Sequence, residues 1–364
     1  MESKRLFGLD ILRTTAIMLV VFMHGGIILK DSAIDGFPYF RLIDGVDIFF
    51  VLSGFLIGGI LLKDINSEEK FSFKSLFTFW KRRWFRTLPN YYLILTVNFF
   101  FVKYGIINED FSQFNWKFVF FLQNFSAPFY GFFWESWSLT IEEWFYILTP
   151  LQLLLFLRFM HPKKAFLLST LFMILFPLLY RISILDNSIS FFEFDSLFRK
   201  IVLTRLDSMA YGLLAAWAFY YYQALWLKYK NKLLIVGIFT LIFAINYIPE
   251  FSSFYLQVLY FCVSPISVML LLPFAISIKN QSGILAKSVT HISKISYSMY
   301  LINFSCIVEV MMKNFPPQNS NDSILKYGIY WFLVITISSL LYKYFEKPIM
   351  DLRDKNLLNK IKYQ

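Results

Sequence analysis

Asp10, Arg13 and His24 stand among aliphatic residues in the first long apolar run of this chain, Leu9–Leu29. Ionisable groups are costly in hydrocarbon, so in a membrane protein they face the interior and mark functional sites. Arg13 and His24 are eleven residues apart. That is close to three helical turns, so they share one face, about 16 Å apart along the axis. One face thus offers a fixed cation near one membrane surface and a titratable base deeper in. This suits a charged cytosolic reactant whose reactive end lies within the membrane. Other apolar runs carry Asp47 in GVDIFFVLSGFLI, Glu142 and Glu143 in WSLTIEEWFY, Arg205 and Asp207 in RLDSMAYG, and Asn303 in ISYSMYLINF. Separate segments would bring these groups to similar depths, as an active site or a permeation path inside a bundle requires. Arg83 and Arg86 lie in the basic KRRWFRTLP run. Three residues apart, they share a helix face, and arginine offers a rigid set of donors for phosphate oxygens.

The elements that must position these groups are membrane helices. The chain is 57% hydrophobic, 21% aromatic and 16% charged, against about a quarter charged in soluble domains. Apolar runs long enough to span recur from end to end, which predicts an all-α polytopic bundle of about ten helices. They are Leu9–Leu29, Val46–Leu62, Leu88–Val102, Leu139–Leu157, Ala165–Tyr180, Ile201–Tyr222, Leu233–Ile248, Phe254–Ile278, Ile292–Met312 and Tyr327–Tyr342. Pro89 suits the first turn of the third. Phe118–Phe121 reads as a short re-entrant or interfacial piece. Ten spans put both termini on one side, where the Lys and Arg outside the spans are in large excess, so both termini are expected in the cytoplasm. The net charge of +11 then reflects topology and anionic headgroups, with no call for nucleic acid. The first span is too long and too charged for a cleavable leader. One membrane domain, residues 1–346, and a short cytoplasmic tail, residues 347–364, are expected. Cys262 and Cys306 read as buried packing residues, and the three scattered histidines lack metal-ligand spacing.

Taken in order, LDILRTTAIMLVVFMH, GVDIFFVLSGFLI, RRWFRTLP, WSLTIEEWFY, RLDSMAYG, SYSMYL and YFEKP resemble the acyltransferase-3 family of integral-membrane acyltransferases, over nearly the whole chain. The resemblance implies transfer of an acyl group, commonly acetyl, from cytosolic acyl-CoA as donor substrate to a hydroxyl beyond the membrane. The acceptor is mostly a surface carbohydrate or glycolipid. It also implies a multi-pass protein of the cytoplasmic (inner) membrane with no permanently bound cofactor. Carried over residue by residue, the family's catalytic histidine matches His24 and its preceding arginine matches Arg13. The paired arginines that engage the donor match Arg83 and Arg86, and the motif carboxylate matches Glu142, with Glu143 as the alternative. Where many members carry a second histidine, this chain has Asn303. Some members carry a C-terminal hydrolase-like domain. This chain stops soon after the tenth span, so it is expected to act alone or with a separate envelope partner protein.

Thioester-to-ester transfer needs an activated hydroxyl and a stabilised oxyanion. His24 is the candidate base, with Glu142 or Asp47 to hold its tautomer. Asn303, Ser298 or Tyr300 could donate to the oxyanion, and Arg13 could hold part of the donor or pair with Asp10. Direct transfer and an acyl-histidine intermediate both remain open. Ser53 and Gly54 read as packing residues, Arg205 and Asp207 as an ion pair or hydrogen-bond network, His161 and His291 as interfacial, and YFEKP as structural. Competing readings are a transporter or flippase with a polar pathway, or a non-catalytic membrane scaffold. The acceptor site is expected from the outer connections Asp31–Asp44, Tyr104–Ser136 and Ile182–Lys200.

Overall fold

The computed structural model describes residues 6–29, 44–67, 71–247 and 249–353, and among them there is no strand. Ten long helices account for the ten apolar runs. They are α1 (Phe7–Gly25), α2 (Gly45–Ile65), α3 (Phe73–Lys103), α4 (Ser136–Phe156), α5 (Pro162–Ser183), α6 (Val202–Lys228), α7 (Lys230–Asn246), α8 (Tyr260–Ser277), α9 (Ile284–Ile302) and α10 (Ser320–Leu341). With their flanking turns, α1, α2, α4, α5, α8, α9 and α10 are each long and apolar enough to cross a bilayer. Helices α6 and α7 reach that measure only together, bent by 98° at their junction. α3 falls short because its buried face carries Thr87, Asn90 and Asn98, which bond to Glu143, Glu346 and Glu109. The chain is a multi-pass membrane protein built as a helical bundle.

The packing order explains how the polar residues meet. α2 packs most extensively on α6, α1 lies against α9 and α2, and α7 lies against α8. The α2–α6 crossing is close because Gly54 and Gly212 face each other's backbones. A Cβ at Gly54 would stand 1.9 Å from the Met209 carbonyl oxygen, and one at Gly212 2.2 Å from that of Val51. Small residues at helix crossings allow this approach in a membrane, where apolar burial supplies little drive.

One expectation about local structure changes. Pro89 does not open a helix: α3 runs unbroken from Phe73, and Pro89 sits in its interior. The basic run and the apolar run therefore form one rod, and Arg83 and Arg86 ride on the helix that carries Asn90 and Asn98. The stretch around Phe118–Phe121, read as a short re-entrant or interfacial piece, is an irregular connection with short 3₁₀ turns at Phe111–Gln113 and Trp116–Phe118. Its carbonyls are satisfied by side chains: Tyr91 OH donates to Phe118 O at 2.8 Å, Tyr92 OH to Val119 O at 2.8 Å, and Trp144 Nε1 to Phe121 O at 2.7 Å. Irregular backbone within an apolar setting requires such partners.

Candidate active site

Five helices converge on one cavity of ≈ 790 Å³, its open mouth included. α1 contributes Arg13, α2 Ser53 and Phe49, α3 Arg83 and Arg86, α4 Ser138, Glu142 and Tyr146, and α9 Ser296, Tyr297 and Tyr300. The volume is that of a small-molecule site, and the lining sets three guanidiniums against one carboxylate. The two arginines of α3 differ from their neighbours. Lys81 and Arg82 are exposed, whereas Arg83 and Arg86 are half-buried against the cavity. The Arg83 guanidinium lies over the rings of Phe79 and Tyr146, at 5.9 and 5.7 Å. Among the described residues neither Arg83 nor Arg86 forms an ion pair. A half-buried guanidinium without a carboxylate partner is suited to an anion brought by a ligand.

Glu142 is the cavity carboxylate. Its Oε1 accepts from Ser53 OH at 3.0 Å and from Tyr146 OH. Glu143 points the other way, buried, and accepts from Thr87 OH at 2.7 Å. Ser53, expected as a packing residue, thus touches a candidate site residue; Gly54 beside it does serve the helix crossing.

His24 lies toward the other end of α1. Its Nδ1 is 2.5 Å from Asn303 Oδ1, and its ring meets Phe304 at 5.0 Å between centroids. Asn303 follows α9 in a π-helical turn, Asn303–Val308. Its amide nitrogen donates to the carbonyls of Met299 and Tyr300, at 2.9 and 2.7 Å. These two bonds orient the amide, so it is oxygen that faces the imidazole, and Nδ1 must carry the proton. Nε2 is then the nitrogen with a lone pair, and it has no hydrogen-bond partner among the described residues.

Several expected roles are corrected by this geometry. The partner of His24 is Asn303, and neither Glu142 nor Asp47 touches the ring. Asp47 is fully buried between Arg205, which donates to its Oδ1, and Ser264, whose hydroxyl donates to Oδ2 at 2.6 Å. Arg205 and Asp207 do not pair with each other: Asp207 pairs with Arg181 at 2.6 Å. Asn303, Ser298 and Tyr300 are not free oxyanion donors. The Asn303 amide hydrogens go to backbone carbonyls, Ser298 donates to Glu346 Oε2 at 2.7 Å, and Tyr300 donates to the Glu135 carbonyl at 3.0 Å. Glu346, from YFEKP, also accepts from Asn90 at 3.0 Å and ties that segment to α3 and α9. His161 caps α5, and His291 bonds Ser339 at 2.9 Å.

The described ends of the three connections expected to hold the acceptor meet in one charged cluster. Arg199 binds Asp44 at 2.8 Å and Asp195 at 2.9 Å, and Lys200 binds Asp195 at 2.5 Å. The cations also lie over indole rings, Arg199 over Trp137 at 4.8 Å and Lys200 over Trp134 at 5.2 Å. Burial works against ionised carboxyls here, yet the neighbouring Arg199 holds both Asp44 and Asp195 below their usual range. Of the Asp31–Asp44 connection only Asp44 is among the described residues. Sequence alone missed Asp195, Arg199 and Lys200 as a group; their spacing resembles any solvated turn, and only the approach of Asp44 distinguishes it.

Comparison with known proteins adds the following. The family described as an acyltransferase domain matches residues 6–343. A Staphylococcus aureus (strain COL) protein named as a candidate O-acetyltransferase is 29% identical over 94% of this chain and 56% of its own. The peptidoglycan O-acetyltransferase of Listeria monocytogenes is 34% identical over 44% of this chain and 26% of its own. The chain spans about half the length of the Staphylococcus aureus relatives it matches from end to end. No solved structure matches.

Proposed function

The chain belongs to the acyltransferase-3 family, and on that premise we propose that it is an integral-membrane O-acetyltransferase of the cell envelope. Its donor is cytosolic acetyl-CoA and its acceptor a carbohydrate hydroxyl beyond the membrane, of the kind that the name of the Listeria relative gives for that protein. The observation that carries this reading is the layout of α1. A cavity with three guanidiniums opens around Arg13, and an imidazole whose Nε2 has no partner among the described residues lies three turns along, about 16 Å away by helical rise. A donor with a phosphorylated head and a long arm ending in a thioester matches that layout: the head would bind Arg13, Arg83 and Arg86, and the thioester would reach His24.

In this mechanism His24 Nε2 takes the proton of the acceptor hydroxyl as its oxygen attacks the thioester carbonyl. The C–S bond then breaks, and the imidazolium returns the proton to the leaving thiolate. Asn303 holds Nδ1–H throughout, the orienting role a carboxylate plays in hydrolytic triads. Because Asn303 is neutral, it supports the imidazolium only by accepting the Nδ1–H hydrogen bond; the nearby Asp44 carboxylate is already paired with Arg199. In the alternative route the same Nε2 lone pair attacks the carbonyl and the C–S bond breaks to expel the thiolate; the acceptor hydroxyl then takes the acyl group from the acyl-histidine, and its proton goes to the thiolate. The aromatic and charged cluster of Trp134, Trp137, Arg199 and Lys200 suits an acceptor that stacks and hydrogen-bonds.

The test compares ester-linked label on envelope glycans in cells given labelled acetate, for wild type, His24→Ala and empty vector, with membrane levels of both proteins matched. Label with wild type that falls to vector level with His24→Ala is expected. Equal labelling by wild type and His24→Ala would remove His24 from the chemistry. A purified wild-type protein unable to bind acetyl-CoA would overturn the enzyme reading.

A further inference from the structure

A pair of carboxyls, Glu135 buried and Glu109 half-buried, meets at Ser305, two residues from Asn303, and has no place in the mechanism above. Glu135, at 2% exposure, precedes α4, and Glu109 lies in the connection after α3. Both reach Ser305, in the same π-helical turn as Asn303. Glu135 Oε1 accepts the Ser305 N–H at 2.7 Å, and its Oε2 lies 2.5 Å from Ser305 Oγ. Glu109 Oε1 lies 2.8 Å from that same Oγ, while its Oε2 accepts from Asn98 at 2.8 Å and from the Phe133 N–H at 2.6 Å.

The hydrogens do not balance if both carboxyls are ionised. A serine hydroxyl carries one hydrogen, and here it faces two carboxyl oxygens. One contact closes with the serine hydrogen; the other closes only if that carboxyl is protonated and donates. Glu109 receives two N–H donors and Glu135 only one; hydrogen bonds to the charged form favour it, which puts the charge on Glu109. Glu135 Oε2 is left to carry the proton, giving the chain Glu135 O–H to Ser305 O–H to Glu109 carboxylate.

We propose that Glu135, in its protonated form, is a positioning residue for His24: it anchors the π-helical turn from which Asn303 orients the imidazole. This inference rests on the reading of His24 as the base. Ionising Glu135 would set a second negative charge against Glu109, with only the Ser305 hydrogen between them, and would push the turn away. Burial, and then the charge of Glu109, push Glu135 from the ordinary 4.5 up to about 8, and burial raises Glu109 as well. Among the described residues, the other titratable groups facing the pair are Glu309, on which the charge of Glu109 acts, and Lys313, which acts on Glu309 and donates to the Ile107 carbonyl at 3.1 Å. Cys306, Tyr300, which donates to the Glu135 carbonyl, and Tyr330 complete the set.

Glu135→Gln discriminates, because an amide can accept the Ser305 N–H and donate to Ser305 Oγ with no proton to lose. The assay uses the full chain in lipid nanodiscs, acetyl-CoA as donor and soluble peptidoglycan fragments as acceptor, from pH 6 to pH 9. Wild-type kcat is expected to fall as pH rises through about 8. Glu135→Gln keeps kcat within about twofold at pH 7 and loses that alkaline fall. Ser305→Ala lowers kcat about tenfold or more, with KM for acetyl-CoA within about twofold, as expected when a reacting group is misaligned. The inference is overturned if Glu135→Gln loses kcat as Ser305→Ala does, or keeps the wild-type alkaline fall.

A measurement without turnover separates the inference from the reading beneath it. A carboxyl with a raised folded pKa stabilises fully below its unfolded value and loses that contribution as pH rises through the folded one. Wild-type melting temperature should therefore decline between pH 4.5 and about 8 more steeply than that of Glu135→Gln. Parallel curves overturn the shared proton itself. A His24→Ala protein as active as wild type overturns the base assignment and the positioning role with it, whatever the melting curves show.

Discussion

Arg86 and Lys81 are five residues apart on one helix and carry the same charge, yet their settings differ. Lys81 is exposed, while Arg86 is half-buried and lines the cavity. An exposed lysine on a basic helix face interacts mainly with water and lipid headgroups. A half-buried guanidinium can hold a phosphate with directed, charge-assisted bonds. Arg86→Ala is therefore expected to raise KM for acetyl-CoA about tenfold, a loss of roughly 1.4 kcal/mol, and Lys81→Ala to leave it within about twofold. Steady-state kinetics on the purified pair checks this, and equal KM values would mean that both residues serve only membrane association. At the same scale, Asn303 shows how a neutral side chain can orient an imidazole. Its amide, held by two backbone carbonyls, selects the tautomer without adding charge.

At the scale of the helices, the recurring device is a buried polar tie between elements distant in sequence. Asp47 joins α2 to Arg205 of α6 and Ser264 of α8. Asp207 of α6 joins Arg181 of α5, and the ring of Phe261 meets both guanidiniums, 4.4 Å from Arg205 and 5.4 Å from Arg181. Asp47 was a candidate for the chemistry, but its oxygens are committed to this tie. Removing one partner of a buried pair leaves the other charge uncompensated, at a cost of about 3–5 kcal/mol, whereas replacing both by apolar residues is often neutral. Asp47→Leu should thus strongly lower the melting temperature, and Asp47→Leu with Arg205→Met should recover most of it together with acetyl-transfer activity. A stable but inactive double variant would return Asp47 to the catalytic set.

At the scale of the whole molecule, the expected arrangement is a gradient of roles across the bilayer, with the donor cavity near the cytoplasmic surface and the acceptor cluster near the opposite one. The excess of basic residues on the terminal side predicts that orientation. Alkaline phosphatase, active only outside the cytoplasm, should be inactive when fused after Arg353 and active when inserted in the connection that follows Lys103. The reverse pattern would invert the proposed path of the acyl group.

Fold class, family and the residues on one face of α1 are legible in the sequence, because each depends on local periodicity or on ordered motifs within single segments. Arg13 and His24 share a face by helical spacing alone, and the apolar runs announce their helices one by one. Partnership is a different matter, since it depends on which helices pack together. Nothing in the sequence tells Asp47 from Glu142 as a mate for His24. Only packing sends the first to Arg205 and the second to Ser53 and Tyr146, and brings Asn303 to the imidazole. Pro89 misled for the same reason: its local preference for a first turn is overridden by a long helix held through Thr87, Asn90 and Asn98. The shared hydroxyl of Ser305, between carboxyls 26 residues apart, has no local signature at all, because a proton shared by two side chains depends on the distance between them and on no property of either alone.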